Sequence, residues 1–404
     1  DGQIGGVEHM GKNVLERMKE NDSEHKIAMF KVKQQQDYSF KKKYARIRAW
    51  EFYNHPEIDG MAYVAVGGLD SITLHVFLRS IGIDVPAISV SSLEDRSIQR
   101  VHRALGVIAL PPAKREDGRY WNKREVIRQF GFPIISKETA NKIALLQHPS
   151  PDNATVRHAI ITGETGEYGG FRTGTRMQLA RKWLELFGGP ENEREGTHYK
   201  TAPFLVSDKC CYYLKEKPCN DYAKESGRFP YMGLMASEGG RRQKALMLNG
   251  CNYISPGTKR SAPFAIFNRQ DILTLALEME DYYHAHWRDF GESEIETIIP
   301  AIYGEIVRDA DGTLRTTKAQ RTGCSMCGFG IHMEGRPHRF DLLRESNPKE
   351  WEFWMKHIYQ DEDGKWWGFG DVLDYIGVGW EDDPHGDLDG QIGLFGGGQH
   401  GNLS

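Results

Sequence analysis

The sequence predicts an α/β protein built on a doubly wound, mostly parallel sheet, with a helical N-terminal extension and a C-terminal helical cap. Three observations carry this prediction. An apolar run from Met61 to Val66 breaks at Gly67-Gly68 and passes directly into a helical pattern through Leu74, Phe77 and Leu78. A second apolar run, Pro86 to Val90, ends in the polar tip Ser91-Ser92-Leu93-Glu94-Asp95. Strand and helix patterns then keep alternating, through Val101–Leu105, Val107–Leu110 and Phe132–Glu138. Continuous apolar runs of strand length, separated by helices, are the pattern of parallel strands covered on both faces.

The elements follow in order. Residues 10–55 read as a mostly helical extension ending in a basic block, Lys41-Lys42-Lys43 with Arg46 and Arg48, interleaved with Tyr44 and Trp50. Such a block is either a solvated helix face or a contact for a phosphate backbone. Residues 1–9 precede a Met10 that reads as a natural start and are expected to be appended sequence. Residues 56–345 are expected to form the nucleotide-binding domain. Its first strand runs into a glycine turn, with Asp70 and Ser71 as N-cap candidates for the next helix. A glycine turn that opens a helix presents bare backbone N–H groups and a positive dipole end, which suits phosphate. Val66, Gly67, Gly68, Asp70 and Ser71 are therefore the candidate phosphate loop. Ligands of doubly wound sheets sit at the carboxyl ends of strands, which makes Ser91 a candidate adenosine contact. Lys137, at the charged tip of the strand expected over Phe132–Glu138, is a candidate phosphate or sulfonucleotide contact.

Residues 148–200 contain a glycine- and threonine-rich stretch in which Arg172 and Arg176 either reach an anion or pair with local acids. A strand-like stretch, Tyr231 to Met235, leads into Glu238-Gly239-Gly240-Arg241-Arg242. One Glu and two Arg at a strand's end can orient a phosphate. Residues 262–272 read as a strand remnant entering another helix. His284 and His286, two apart on that helix, do not share a face and read as surface residues. The tryptophan-rich stretch 346–380 is expected to be the helical cap, and the acidic, glycine-rich tail 381–404 to be flexible.

Composition excludes several classes. The net charge of -4 gives no global attraction to nucleic acid or lipid. No apolar run approaches the ~20 residues that span a bilayer, and no signal peptide is visible, so a cytoplasmic protein without membrane contact is expected. The six cysteines are Cys210, Cys211, Cys219, Cys251, Cys324 and Cys327. Clustering of this kind favours a metal over disulfides in a reducing compartment. Zinc usually takes two CxxC knuckles, whereas here one pair is adjacent. Neighbouring thiolates suit two corners of a cubane, so Cys210, Cys211, Cys324 and Cys327 are the candidate ligands of a [4Fe–4S] cluster. A zinc site and plain buried thiols are the alternatives, with Cys219 as a substitute for one of the adjacent pair.

Taken together, the GGxDS loop at Gly67–Ser71, Cys-Cys after Ser207-Asp208-Lys209, Glu238-Gly-Gly-Arg-Arg, and Arg321-Thr-Gly-Cys-x-x-Cys followed by His338-Arg339-Phe340 resemble the phosphoadenosine phosphosulfate (PAPS) reductase family. That family lies within the adenine-nucleotide alpha-hydrolase, or PP-loop ATP pyrophosphatase, superfamily. The resemblance spans roughly residues 55–350, and its cysteine pattern is similar to that of cluster-bearing adenylyl-sulfate reductases. It implies an adenine nucleotide, ATP or PAPS-like, at the carboxyl edge of the sheet near a cluster. Two positions depart from the family. Val66 replaces the serine that opens the loop, and no cysteine follows Cys327, although the reductases need a nucleophilic thiolate near the C-terminus.

That second departure favours the superfamily's sulfur-transfer branch, which includes tRNA thiolation and DNA phosphorothioation enzymes. The expected function is an ATP pyrophosphatase that adenylylates an acceptor for sulfur insertion, with Asp70, Ser71, Lys137, Arg241 and Arg242 in the chemistry. Glu238 assists nucleotide binding and Mg2+ bridges the phosphates. The implied partners are a nucleic-acid acceptor and a sulfur donor such as a cysteine desulfurase. A sulfonucleotide reductase fed by thioredoxin, and a nucleotide-binding sensor or defence module, are the other classes. Gln391-Ile392-Gly393-Leu394-Phe395 resembles a short peptide that docks on the bacterial DNA sliding clamp.

Overall fold

The computed structural model describes residues 22–190, 199–320, 323, 324 and 326–381. Its described residues fall into two compact units, each built from two separated segments. The first lies within Asp1–Pro112 and Lys215–Ser325, the second within Ala113–Leu214 and Met326–Ser404.

The first unit is an α/β layer structure around a mostly parallel six-stranded sheet. Its strands are β1 (Ala62–Ala65), β2 (Ala87–Ser89), β3 (Ile108–Ala109), β4 (Phe229–Met232), β5 (Asn252–Ser255) and β6 (Thr258–Ser261), in spatial order β3-β2-β1-β4-β6-β5. Strand β1 is central, with Val64 opposite Ala87 on one side and Tyr231 on the other, both parallel. Among the described residues of this sheet, only the β5–β6 edge hairpin is antiparallel. Helices cover the sheet: α1 (residues 22–34), α2 (Tyr38–Tyr53), α3 (Leu69–Ser80), α4 (Arg96–Ala104), α5 (Gly240–Asn249) and α6 (Arg269–His286). The core runs from Ala45, Ala49 and Phe52 of α2 through Val64 and Ile72 to Phe264, Phe267 and Ile272. Burial of each Val, Ile or Phe side chain among these stabilises by about 1.5–3 kcal/mol.

The basic block on α2 is divided between core and surface. Lys41 is buried and pairs with the buried Asp271 of α6 at 2.8 Å. Lys42 pairs with Glu278, and Arg48 pairs with Glu51 and lies over the Tyr44 ring. Lys43 and Arg46 are exposed, so the solvated-face reading fits those two, while Lys42 and Arg48 are half-buried and Lys41 is buried. His284 lies at the surface between Glu280 and Glu294, as expected.

The second unit is mainly helical, with Lys123–Phe130, Lys137–Gln147, Ala154–Thr162, Arg181–Phe187, Arg339–Ser346, Pro348–Lys356 and Phe369–Ile376. Its core is aromatic, with Phe132 against Phe204 and Phe369, and Phe340 against Phe369. The strand expected over Phe132–Glu138 does not form at that length. It shrinks to Ile134–Ile135, pairs with Gly328–Phe329, and takes no part in the six-stranded sheet. The Ser136 side chain accepts from the Thr139 N–H and starts a helix at Lys137. The glycine-rich segment Gly163–Arg176 lies between two helices, Ala154–Thr162 and Arg181–Phe187. The tryptophan-rich stretch combines two helices with a short strand pair, Tyr359–Gln360 and Trp366–Trp367. No described helix is long and apolar enough to cross a membrane. Residues 1–9 and the tail with Gln391–Phe395 lie outside the described residues.

Candidate phosphate site at the carboxyl end of the central strands

The candidate site of the first unit grows out of β1. After Ala65 the chain turns at Gly67-Gly68 and enters α3. The N-cap is Gly68, with no side-chain cap bond, rather than Asp70 or Ser71 as expected. Both side chains are engaged elsewhere. Ser71 Oγ accepts from the Gly67 N–H at 2.7 Å and donates to the Gly68 carbonyl at 3.0 Å, which closes the turn on itself. Asp70 Oδ1 lies 3.1 Å from Arg269 Nη1, the first residue of α6. Val66 is buried in the core and its N–H is donated to the Ile88 carbonyl, so its side chain offers a ligand nothing.

These residues line a cavity of about 290 Å³. Gly68, Asp70 and Ser71 form one wall, and Gly233, just beyond β4, backs against them. A Cβ built on Gly233 would stand 3.0 Å from the Ser71 backbone, a close approach that glycine makes easy. Arg242 and Arg269 bring two cations to the cavity, and Glu238, which also lines it, lies 3.3 Å from Arg242. Tyr303 supplies a hydroxyl that accepts from the Leu69 N–H at 3.1 Å. Arg269 is braced by donating to the Gln320 carbonyl at 2.8 Å. Each arginine is paired with a carboxylate of the same lining, Arg269 with Asp70 and Arg242 with Glu238, so an anion entering the cavity competes for them. The helix N-terminus and a hydroxyl acceptor that an oxyanion can replace are what suit the cavity to phosphate chemistry.

A second layer holds the loop from behind. The His102 ring on α4 bonds the Gly67 carbonyl through Nε2 at 2.8 Å and Ser91 Oγ through Nδ1 at 2.9 Å. Burial lowers its pKa, although the bond to the Gly67 carbonyl works the other way. A neutral ring that donates from Nε2 must accept at Nδ1, so the Ser91 hydroxyl is the donor there. Ser91 thus supports the loop. Glu94 lies beside Gly67, its Oε1 within 3.7 Å of a Cβ built there, and pairs with Lys215 at 2.6 Å. Burial opposes the charge of Lys215, but Cys324 and Glu94 outweigh it and hold its pKa above the usual lysine value.

The structure brings Gly68, Asp70, Ser71, Glu238 and Arg242 to one cavity, and the Arg241 side chain lies outside what it describes. Lys137 belongs to the second unit, where it opens a helix. Sequence reasoning missed Arg269, Tyr303, Gly233 and His102. Arg269 had a local signal, since Asn268-Arg269 opens a helix through a capping box, while Tyr303 had none.

The cysteines divide as follows. Cys210 and Cys211 lie in a helical run, Lys209–Cys211, that passes into a π-helical turn, Tyr212–Glu216. Cys327 precedes the Gly328–Phe329 strand, and Arg339 of the His-Arg-Phe motif donates to the Cys327 carbonyl at 3.2 Å while pairing with Glu334. Cys324 bonds Lys215 in the first unit. Burial pushes the thiols of Cys219 and Cys251 up, that of Cys251 to about 12, so neither is a ready nucleophile. Four thiols are the right donor chemistry for a cubane, but among the described residues no three His, Cys, Asp or Glu side chains form a group able to hold a metal ion. In comparisons with protein-family models, curated proteins and solved structures, the chain matches none of them.

Proposed function

We propose that the first unit binds the phosphates of an adenine nucleotide and that the protein is an ATP-dependent adenylylating enzyme serving sulfur transfer. The observation that carries this reading is the convergence of Arg242 and Arg269 with the Gly68–Ser71 turn on one cavity at the carboxyl ends of β1 and β4. In the proposed reaction an acceptor oxygen attacks the α-phosphorus, the bond to the β-phosphate breaks, and pyrophosphate leaves with the electron pair. A sulfur nucleophile from a donor then displaces AMP. Arg242 and Arg269 would balance the charge that gathers on the departing pyrophosphate. The turn would orient it through backbone N–H groups once the Tyr303 hydroxyl is displaced from Leu69. Mg2+, when bound, supplies further neutralisation of the phosphates.

Cys210, Cys211, Cys324 and Cys327 would be the thiolate donors of a [4Fe–4S] cluster. Nucleic acid as acceptor, a cysteine desulfurase as donor and the clamp contact through Gln391–Phe395 extend the reading.

The test is incubation with ATP, Mg2+, a sulfide donor and mixed tRNA and duplex DNA as acceptor, with detection of pyrophosphate, alongside calorimetry of ATP binding to the wild type and Arg269→Ala. Binding lost in the variant and pyrophosphate release by the wild type are expected. Sulfite release from PAPS would move the protein to the reductase class, and absence of nucleotide binding would remove the reading altogether.

A further inference from the structure

A second cavity, of about 220 Å³, lies within the first unit beside the phosphate cavity and shares Met232, Leu234 and Arg242 with it. Its other walls come from α5 and from the β5–β6 hairpin. On the hairpin, Tyr253 and Arg260 are direct cross-strand partners, and the Arg260 guanidinium lies 5.4 Å from the centre of the Tyr253 ring. Cross-strand partners of an antiparallel pair project from the same face of the sheet. Asn249, the last residue of α5, adds an exposed amide, while Leu246 and Ala262 add apolar surface.

This combination selects among ligands. An aromatic ring paired with a guanidinium plane offers stacking surface to a flat heteroaromatic ring. A carboxamide offers both a donor and an acceptor, the pattern that a base edge requires. Arg260 and Arg242, the latter paired with Glu238 of the neighbouring cavity, are cationic, and no carboxylate is among the described residues that line this cavity, which suits an anionic ligand over an amine. Cys251 also lines it, with its thiol held protonated by burial, so it serves as apolar wall. A bare phosphate would leave the apolar surface and the ring unused. An alkyl chain would leave the arginines and the amide unused.

We infer that this cavity is a nucleobase subsite, in which a base packs against Tyr253 and Arg260 while its phosphates extend past Arg242 into the neighbouring cavity. The inference rests on the phosphate reading of that neighbour. The base has two sources, the adenine of ATP itself or a base of the acceptor nucleic acid, and the same chemistry serves both.

The test uses the full chain as wild type, Tyr253→Ala and Tyr253→Phe, with thermal melting to confirm folding. The probes are ATP, inorganic tripolyphosphate and a short single-stranded oligonucleotide. If adenine fills the cavity, Tyr253→Ala weakens ATP about tenfold or more, leaves tripolyphosphate unchanged, and Tyr253→Phe restores ATP affinity. If the acceptor's base fills it, ATP is unchanged and oligonucleotide affinity falls by a similar factor. Unchanged affinity for both ATP and oligonucleotide in Tyr253→Ala overturns the inference, as do equal losses for ATP and tripolyphosphate. Tripolyphosphate separates this inference from the phosphate reading. Its binding to the wild type and loss in Arg269→Ala would leave the phosphate reading standing even if the base subsite fails.

Discussion

His102 Nε2 donates to the carbonyl oxygen of Gly67 across 2.8 Å, tying the candidate phosphate loop to the helix that follows the next strand. The same ring accepts from Ser91, so one buried imidazole joins the carboxyl ends of two neighbouring strands. His102→Phe leaves the Gly67 carbonyl and the Ser91 hydroxyl without this partner. Unfolding in urea is expected to show a loss of about 1–3 kcal/mol. Calorimetry is expected to show weaker nucleotide binding, although His102 itself lines no part of the cavity as described. Equal stability and equal affinity would detach the imidazole from the loop.

Gly233→Ala places a methyl 3.0 Å from the Ser71 backbone, tighter than side chains normally pack. The loop must shift by a few tenths of an ångström. Nucleotide affinity is expected to fall several-fold, with a stability cost of about 1 kcal/mol, within the overpacking range. Gly239→Ala is a poor control because Gly239 has a φ of +77°, whereas Gly257 has open space and a permissive backbone, so Gly257→Ala is expected to leave binding unchanged.

Lys41→Met removes the partner of a buried carboxylate. Asp271 also accepts from the Asn268 N–H, so it stays fixed in place with its charge uncompensated. A loss of about 3–5 kcal/mol is expected in chemical denaturation. Lys42→Ala breaks a pair whose side chains are 40% and 37% exposed, and is expected to cost under about 1 kcal/mol. Similar costs for the two would show that the Lys41–Asp271 pair is worth no more than a surface contact.

His75 is buried on α3 and bonds the Leu105 carbonyl at 3.2 Å. Burial lowers its pKa from the ordinary 6.5 to about 4. The unfolded chain therefore takes up a proton that the folded chain refuses as pH falls from about 6.5 to about 4. Stability associated with His75 is complete above 6.5 and declines across that window by up to about 3 kcal/mol. The burial of His102 acts in the same direction. Melting temperatures from pH 7.5 to 4 are expected to fall less steeply for His75→Met than for the wild type. Parallel curves would rule this origin out.

The parts of the site that were legible in the sequence are those whose cause is local. An apolar run, a glycine pair and a helical period within a dozen residues mark the strand, turn and helix that make the loop. Glu238 and Arg242 were legible for the same reason, being one helical turn apart just after a strand. Arg269 and Tyr303 reach the cavity from segments some two hundred residues downstream of the loop, and nothing around Tyr303 announces that its hydroxyl meets the Leu69 N–H. The N-cap was misread because Asp70 and Ser71 are good cap residues in isolation, whereas here Arg269 and the Gly67 N–H claim their oxygens. The basic block on α2 was ambiguous because its acidic partners, Asp271 and Glu278, sit on a helix far along the chain. Phe132–Glu138 has strand-like composition, but Ser136 caps a helix, which leaves only two residues to pair.

The placement of β1 between β2 and β4 has a consequence for synthesis. Ala62 pairs with Phe229, so one edge of the central strand stays open until the ribosome has released the chain beyond β4. The nascent first unit must therefore carry an apolar, unpaired strand edge while the whole of Ala113–Leu214 emerges. Pairing at such sequence separation closes slowly, because the loop entropy is lost before the contact forms. A chain released early, between Leu214 and Phe229, would keep that edge exposed and aggregate, whereas release after Ser261 would let the sheet complete itself.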